Sequence, residues 1–441
     1  LFGEVYWRFA DTLKLTAGLR YTWDRKAFTP VPSQTLLNDY RNGHYAFQNG
    51  MGEGEGAEGC VAITALCGVA GDAPFGRGYP AQPDIIQTWK EPTGRLVLDW
   101  QPWLSFTDET LVFVSYSRGY KSGGINPPLS PVFAVSESFD SEKIDAFEIG
   151  SKNSFLNGAA QVNLTGFYYK YKDLQLSRIV GRTSVNDTID ANIWGLELET
   201  ILRPSYNWLI NMNLSYLNAK VSGDQFFSNP RDPGGGDPDA VIIKDLSNGS
   251  LCAVTGAGAN AFVGAVNAGL GLQGPAAFPA DGGIASTGAF SICSVLDAQT
   301  ANPAFAALGP IDVLSPGVEV NLRGNRLPQA PEYKASVGVQ YTADFDNGMS
   351  LVPRFDLAYT GEQYGNVFNG NVNRIEPFVQ ANASITLNGN DNRWFVRGFV
   401  QNIFDSDSVT GLYVTDASSG NFTNIFTLDP RRYGIAIGAK F

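Results

Sequence analysis

The chain has 441 residues, a formal net charge of −12, 44% hydrophobic residues and only 17% charged ones. Such an acidic balance leaves no basic stripe to neutralise phosphates and argues against nucleic acid as a partner. No run of about eighteen apolar residues occurs, which excludes a transmembrane helix. It leaves a membrane-spanning β-barrel open, because a barrel strand needs an apolar residue only at every second position.

Aromatics at 12% and 49 glycines, with a single His and three Met, suit an all-β chain. Strands are expected at about 2–10, 12–28, 88–101, 110–121, 139–152, 158–180, 185–201, 206–221, 332–344, 349–364, 374–388, 392–404 and 429–441. In the second of these, Leu13, Leu15, Ala17, Leu19, Tyr21 and Trp23 share one face, and Lys14, Thr16, Gly18, Arg20, Thr22 and Asp24 share the other. Near residue 338, Tyr333, Ala335, Val337, Val339 and Tyr341 alternate with Lys334, Ser336, Gly338, Gln340 and Thr342. A soluble sandwich would alternate as well. The barrel is favoured by aromatics at the ends of the apolar rows, such as Trp208 and Tyr216, which suit membrane interfaces.

The connections alternate between tight turns (Asn153–Asn157, the Pro204 turn, Asp344–Gly348) and long loops (29–87, 222–331, 405–428). Short turns on one side and long loops on the other mark outer-membrane barrels. The longest loop, 222–331, is rich in Gly, Pro and Ala and is expected to be largely irregular, with a weak helix at 259–272. Four cysteines fall as two local pairs, Cys60 with Cys67 and Cys252 with Cys293, each within one long loop. Three pairings are possible; the local one needs least chain reorganisation and implies an oxidising compartment. Zinc is the competing reading, but no Cys-x-x-Cys occurs, and His44 stands alone in an acidic loop that holds Glu53, Glu55 and Glu58.

The last strand sets Tyr433, Ile435, Ile437, Ala439 and Phe441 on one face and stops at Phe441. This pattern resembles the β-signal read by the barrel-assembly machinery. Upstream, Asn402-Ile403-Phe404-Asp405 is similar to the Asn-Leu-Phe-Asp-like run that ends the penultimate strand of TonB-dependent receptors, with Ile403 in place of Leu. Phe113 to Asn126, Glu148-Ile-Gly-Ser-Lys and Gly195-Leu-Glu-Leu-Glu resemble further strands of iron-complex receptors in that family. The resemblance covers most strands and does not reach the long loops.

The resemblance implies an all-β transmembrane antiparallel barrel in the bacterial outer membrane. The thirteen strands would be the tenth to twenty-second of the family's twenty-two. Residues 1–441 would then form one barrel domain lacking the family's N-terminal plug and first strands. The chain opens on strand sequence without a signal peptide, and this is read as a piece of a longer protein. The implied function is uptake of a scarce ligand, foremost an iron–siderophore complex, powered by the TonB–ExbB–ExbD complex. Other partners would be outer-membrane lipid and the barrel-assembly machinery. Alternatives are a passive porin-like channel, or import of cobalamin, a saccharide or an aromatic compound. An outer-membrane enzyme is a further reading, but no nucleophile elbow or paired His supports it.

Charged residues expected to face the lumen are Lys14, Arg20, Asp24, Arg95, Asp99, Arg118, Glu148, Glu197, Glu199, Arg354 and Asp356. Ligand contact is expected of Arg and aromatics near the outer mouth: Arg118, Tyr120, Tyr364 and Phe368. No catalytic residue, resident metal or cofactor is expected.

Overall fold

A computed structural model describes residues 1–28, 33–39, 44–49, 85–127, 135–180, 183–245, 250–270, 291–389, 393–415 and 420–440. Thirteen long strands form one antiparallel path: β1 (Phe2–Ala10), β2 (Leu13–Phe28), β3 (Ile85–Trp100), β4 (Glu109–Lys121), β5 (Glu142–Phe155), β6 (Ala160–Val180), β7 (Thr183–Leu202), β8 (Trp208–Val221), β9 (Tyr333–Tyr341), β10 (Ser350–Thr360), β11 (Phe378–Asn388), β12 (Trp394–Gln401) and β13 (Arg432–Ala439). Each pairs with its predecessor in this path, so no connection crosses the sheet. The sheet is open, with β1 and β13 as its two edges.

All thirteen expected strands are present. Two are shorter than their alternation suggested, because Gln363–Tyr364 and Arg374–Ile375 pair in a small separate hairpin beyond Thr360 and Phe378. The strand expected over 392–404 stops at Gln401, where Asn402 takes a φ of 49°. A left-handed residue cannot continue a pleated strand.

The apolar rows are the exposed ones. Ile149, Ile435 and Ile437 are 60%, 76% and 77% exposed, and Leu19 and Trp23 are exposed with them. In water this arrangement is costly; against hydrocarbon it satisfies the side chains while the ladder satisfies the backbone. Aromatics line this convex face in register, Tyr116 beside Phe147, Phe147 beside Tyr168, and Tyr168 beside Trp194. Near the short-turn end, Trp208 sits beside Tyr341, ring centroids 4.9 Å apart. On β8, Trp208 and Tyr216 are separated by roughly 27 Å at a rise of about 3.4 Å per residue. At a barrel strand tilt of about 40° this projects to roughly 20 Å of height, close to the apolar band of about 25 Å of an outer-membrane wall.

Residues 222–331 correct the expectation of an irregular loop. Val241–Asp245, Ser250–Thr255 and Asp312–Leu314 form a three-stranded sheet, packed by helices α1 (Ala259–Gly269) and α2 (Ile292–Thr300). Ala259, Phe262, Val263 and Val266 recur at helical spacing and are buried with Leu296 and Val254. Ser291 caps α2 by accepting the Ser294 amide at 3.1 Å. The Cys252–Cys293 disulfide ties the central strand to α2. The second expected pair, Cys60 and Cys67, lies outside the described residues. Small side chains hid this unit in the sequence: Gly lowers helix and strand signals and Ala adds little to an apolar pattern, yet a stripe of four apolar residues is enough to bury one face.

Candidate functional site

The concave face is polar from β1 to β13, because every second residue of the wall points there. Lys14 meets Asp99 at 2.7 Å, and Arg95 reaches Glu4 at 2.5 Å across Gly18. Arg354 binds Asp356 at 2.5 Å and donates to the Asn211 amide oxygen at 3.1 Å. The Tyr169 hydroxyl donates to Glu148 at 2.7 Å. These pairs are open to solvent, so each stabilises the wall little; their larger effect is to fix where charge points. Aromatic rings fill the spaces over cross-strand glycines. A Cβ on Gly150 would lie 2.6 Å from the Phe113 ring, and Gly434 lies under Phe399 in the same way. A cavity of about 470 Å³ lies against Glu4, Gly18, Arg20 and Arg95, near the open β1 edge.

Of the residues expected to face the lumen, Arg118 alone is turned the other way. It pairs with Gly94 on β3 and Asp145 on β5, on the face of Val114 and Phe147. Its guanidinium is 3.2 Å from Asp145, which also accepts the Tyr116 hydroxyl at 2.7 Å. The alternation through Val112, Val114 and Tyr116 already carried this orientation; the charge of Arg118 outweighed it in the sequence reading.

At the long-loop end an apolar floor lies over β7 and β8. Ile189, Ala191, Ala219 and Val221 are buried against Leu322, Leu327 and Val367, with Phe368 packed beside them. Phe368 is therefore part of the floor. Arg326 is the ladder partner of Lys220 and so lies on the other face from Ala219 and Val221. It is a hub, 2.8 Å from Glu332 and 3.5 Å from Glu362, with its guanidinium 5.9 Å from the Tyr364 ring centre. Glu362 also binds Arg374 at 2.6 Å, and Arg374 reaches Glu376 at 3.0 Å. Glu362 raises the Arg374 pKa above its ordinary value, so the guanidinium stays charged. Asn369 clasps the Arg326 backbone, accepting its amide at 2.6 Å and donating to its carbonyl at 3.0 Å. Tyr364 thus presents a ring beside an alternating set of three acids and two arginines. The Tyr120 hydroxyl is buried beside the Asp24 carboxylate. Sequence reasoning named Tyr364 and did not name Arg326, whose acids lie 6 and 36 residues away.

The Asn402–Asp405 run is a structural corner. Asn402 is 1% exposed. Its amide nitrogen donates to the Ser406 and Asp429 carbonyls, each at 2.8 Å, and its amide oxygen accepts the Ser406 amide at 3.1 Å. Asp405 accepts the Arg431 amide at 2.9 Å and binds its guanidinium at 3.2 Å. One side chain thereby joins the end of β12 to the approach to β13. On β13, Tyr433, Ile435 and Ile437 share the convex face; Phe441 lies outside the described residues.

A family model described as TonB dependent receptor-like, beta-barrel, matches residues 1–241. The chain belongs to the TonB-dependent receptor β-barrel family. The family and its structural neighbours are outer-membrane β-barrel receptors. Among solved structures, the ferric yersiniabactin uptake receptor FyuA from Yersinia pestis superposes with a TM-score of 0.56 at 15% identity, covering 99% of this chain and 44% of that one. The copper transporter OprC gives 0.52 at 13% identity, covering 100% and 46%. The siderophore receptor PiuA from Acinetobacter baumannii gives 0.51 at 13%, covering 97% and 40%. At such identities these likenesses show the shared fold, and the chain spans less than half the length of each of these TonB-dependent receptor-fold structures. A sequence search of curated proteins found no significant match.

Proposed function

We propose that residues 1–441 form one wall-and-loop domain of an outer-membrane receptor that imports a scarce ligand into the periplasm with TonB-transmitted energy, without catalysing a reaction. The observation that carries the reading is the unbroken alternation of thirteen strands, apolar outward and polar inward, in a chain whose family is TonB-dependent receptors. Ferric siderophore is the ligand class proposed, in keeping with FyuA and PiuA among the neighbours; OprC shows that the same fold also serves a copper transporter.

The division of labour follows from the two faces. The convex rows hold the wall in lipid. The concave pairs offer fixed charges to the plug of the assembled receptor. TonB, driven through ExbB–ExbD, supplies the work of release, and the barrel-assembly machinery inserts the wall by its last strand. Of the four mouth residues named from sequence, Tyr364 is the strongest ligand contact, because its ring stands beside the Arg326 hub. Tyr120 offers a buried hydroxyl beside Asp24, Phe368 supports the floor beneath, and Arg118 is left to the lipid face.

The test is growth of a deletion strain under iron limitation on single siderophores, with and without TonB. Loss of growth on one siderophore in the deletion and in the TonB-deficient parent is the expected result. Normal growth of the deletion on every iron source would sink the iron assignment and redirect the search to metal chelates such as copper.

A further inference from the structure

We propose that the mouth end of β2 and β3 is a hinged flap, latched to β4 and β5 by side chains alone, so that the wall parts there without losing a backbone hydrogen bond. The motion belongs to wall strands and not to a connecting loop.

The ladders show where the wall stops being continuous. β2 and β3 stay paired up to Phe28 with Ile85. β3 and β4 pair only from Trp100 with Val112 to Gly94 with Arg118, whereas β4 continues beside β5 to Lys121 with Glu142. Gln101 gives its amide to the Thr12 carbonyl, so odd residues of β3 bond β2 and even ones face β4. The next bonded pair after Gly94 would be Pro92 with Tyr120, and proline has no amide hydrogen to give. Residues 22–28 and 85–92 therefore form a two-stranded ribbon. Among the described residues, no backbone hydrogen bond joins it to β4 or β5. At its base Gly94 presses on β2, where a Cβ would lie 2.4 Å from the Gly18 carbonyl oxygen. A glycine there also supplies the backbone freedom of a hinge.

Side chains close the gap. Lys143 meets Glu91 at 2.6 Å. Lys26 donates to the Gly123 carbonyl at 2.5 Å and lies over the Trp89 ring, 5.5 Å from its centre. Gly123 leaves that ring room, since a Cβ there would lie 2.8 Å from it. The Tyr120 hydroxyl lies beside Asp24. Asp24, Lys26, Trp89 and Glu91 belong to the concave row, and Tyr120 and Lys143 to the convex row of Arg118 and Asp145. Opposite rows meet because the ribbon laps over the outside of β4 and β5. Contacts of this kind, polar and few, hold weakly beside a ladder.

Position makes the break tolerable. Tyr116, in the aromatic row, pairs with Leu96. Pro92 lies four residues further toward the long loops, about 13 Å along the strand. Hydrocarbon demands that backbone groups be paired, and the β3–β4 ladder supplies this from Trp100 to Gly94. Beyond the aromatic row water can serve the free groups. Parting the overlap opens the mouth sideways and leaves the membrane-embedded wall intact.

The experiment uses the full chain in detergent, carrying Cys60→Ser and Cys67→Ser, with spin labels at Thr88→Cys and Lys170→Cys. Thr88 is in the ribbon and Lys170 is on β6; both are exposed. Double electron–electron resonance should show two distances, a latched one and a longer one. Lys26→Met with Glu91→Gln should raise the longer population about threefold, the scale of a partly exposed ion pair. Pro92→Val, which restores the amide, should lower it. A control label at Leu96→Cys in place of Thr88→Cys, below the break on the same strand, should give one narrow distance in every variant. A single ribbon distance that the latch variant leaves unchanged overturns the flap. A control distance that broadens together with the ribbon's would show the whole wall loosening, and overturns the hinge.

Discussion

The wall and the 222–331 unit are built from the same alphabet in opposite ways. In the wall, large apolar residues such as Ile435 and Ile437 are exposed, and the face turned inward is polar. In the 222–331 unit, Phe262, Val254 and Leu296 are fully buried at the centre of an apolar core. One chain thus folds for two solvents, and a residue's hydrophobicity alone does not tell inside from outside. The ladder register does.

The comparison breaks most sharply at Phe262. Phe262→Ala should cost about 3–5 kcal/mol within the 222–331 unit. Limited proteolysis should then cut in that unit while the wall keeps its β-sheet circular dichroism; loss of both together would show that the two regions fold as one. A smaller effect is expected in the wall. Met212 is midway between Trp208 and Tyr216 on the convex row of β8, so Met212→Arg should cost about 2–4 kcal/mol in bilayers. Asn213→Arg, one residue along on the concave face, should be tolerated. Equal sensitivity at both positions in refolding titrations would mean the convex face does not meet lipid.

The smallest effect belongs to the junction between the regions. Asp224 is held below the ordinary carboxylate pKa, first by the Asn321 side-chain amide and then by Arg323. Its contribution is present above that ordinary value and is lost as pH falls through the lowered one, below about pH 4. Hydrogen exchange at Phe226–Ser228, which pair with Glu319–Asn321, should quicken there. Asp224→Asn should show the faster exchange already at pH 7 and no further acid response.

The wall was legible in the sequence because its signal is periodic and each strand spans enough residues to repeat it. Arg118 shows where the reading yielded to a bias: the period placed it outward, and the habit of sending charge to a lumen placed it inward. The 222–331 unit was legible at 259–272, where helical spacing survives among the glycines, and in the local pairing of Cys252 with Cys293. The Arg326 hub and the Asn402 corner were not legible, since their partners arrive from segments up to 43 residues away. A motif can flag Asn402-Ile403-Phe404-Asp405; only the fold shows that Asn402 ties two backbone carbonyls at once.

The count of wall strands has a directional consequence. In an antiparallel path of thirteen, the first and last strands point the same way. Were β1 and β13 to meet directly, they would form a parallel seam in an otherwise antiparallel wall. An all-antiparallel ring that contains this sheet must therefore add an odd number of strands between Arg432–Ala439 and Phe2–Ala10, whichever polypeptide supplies them.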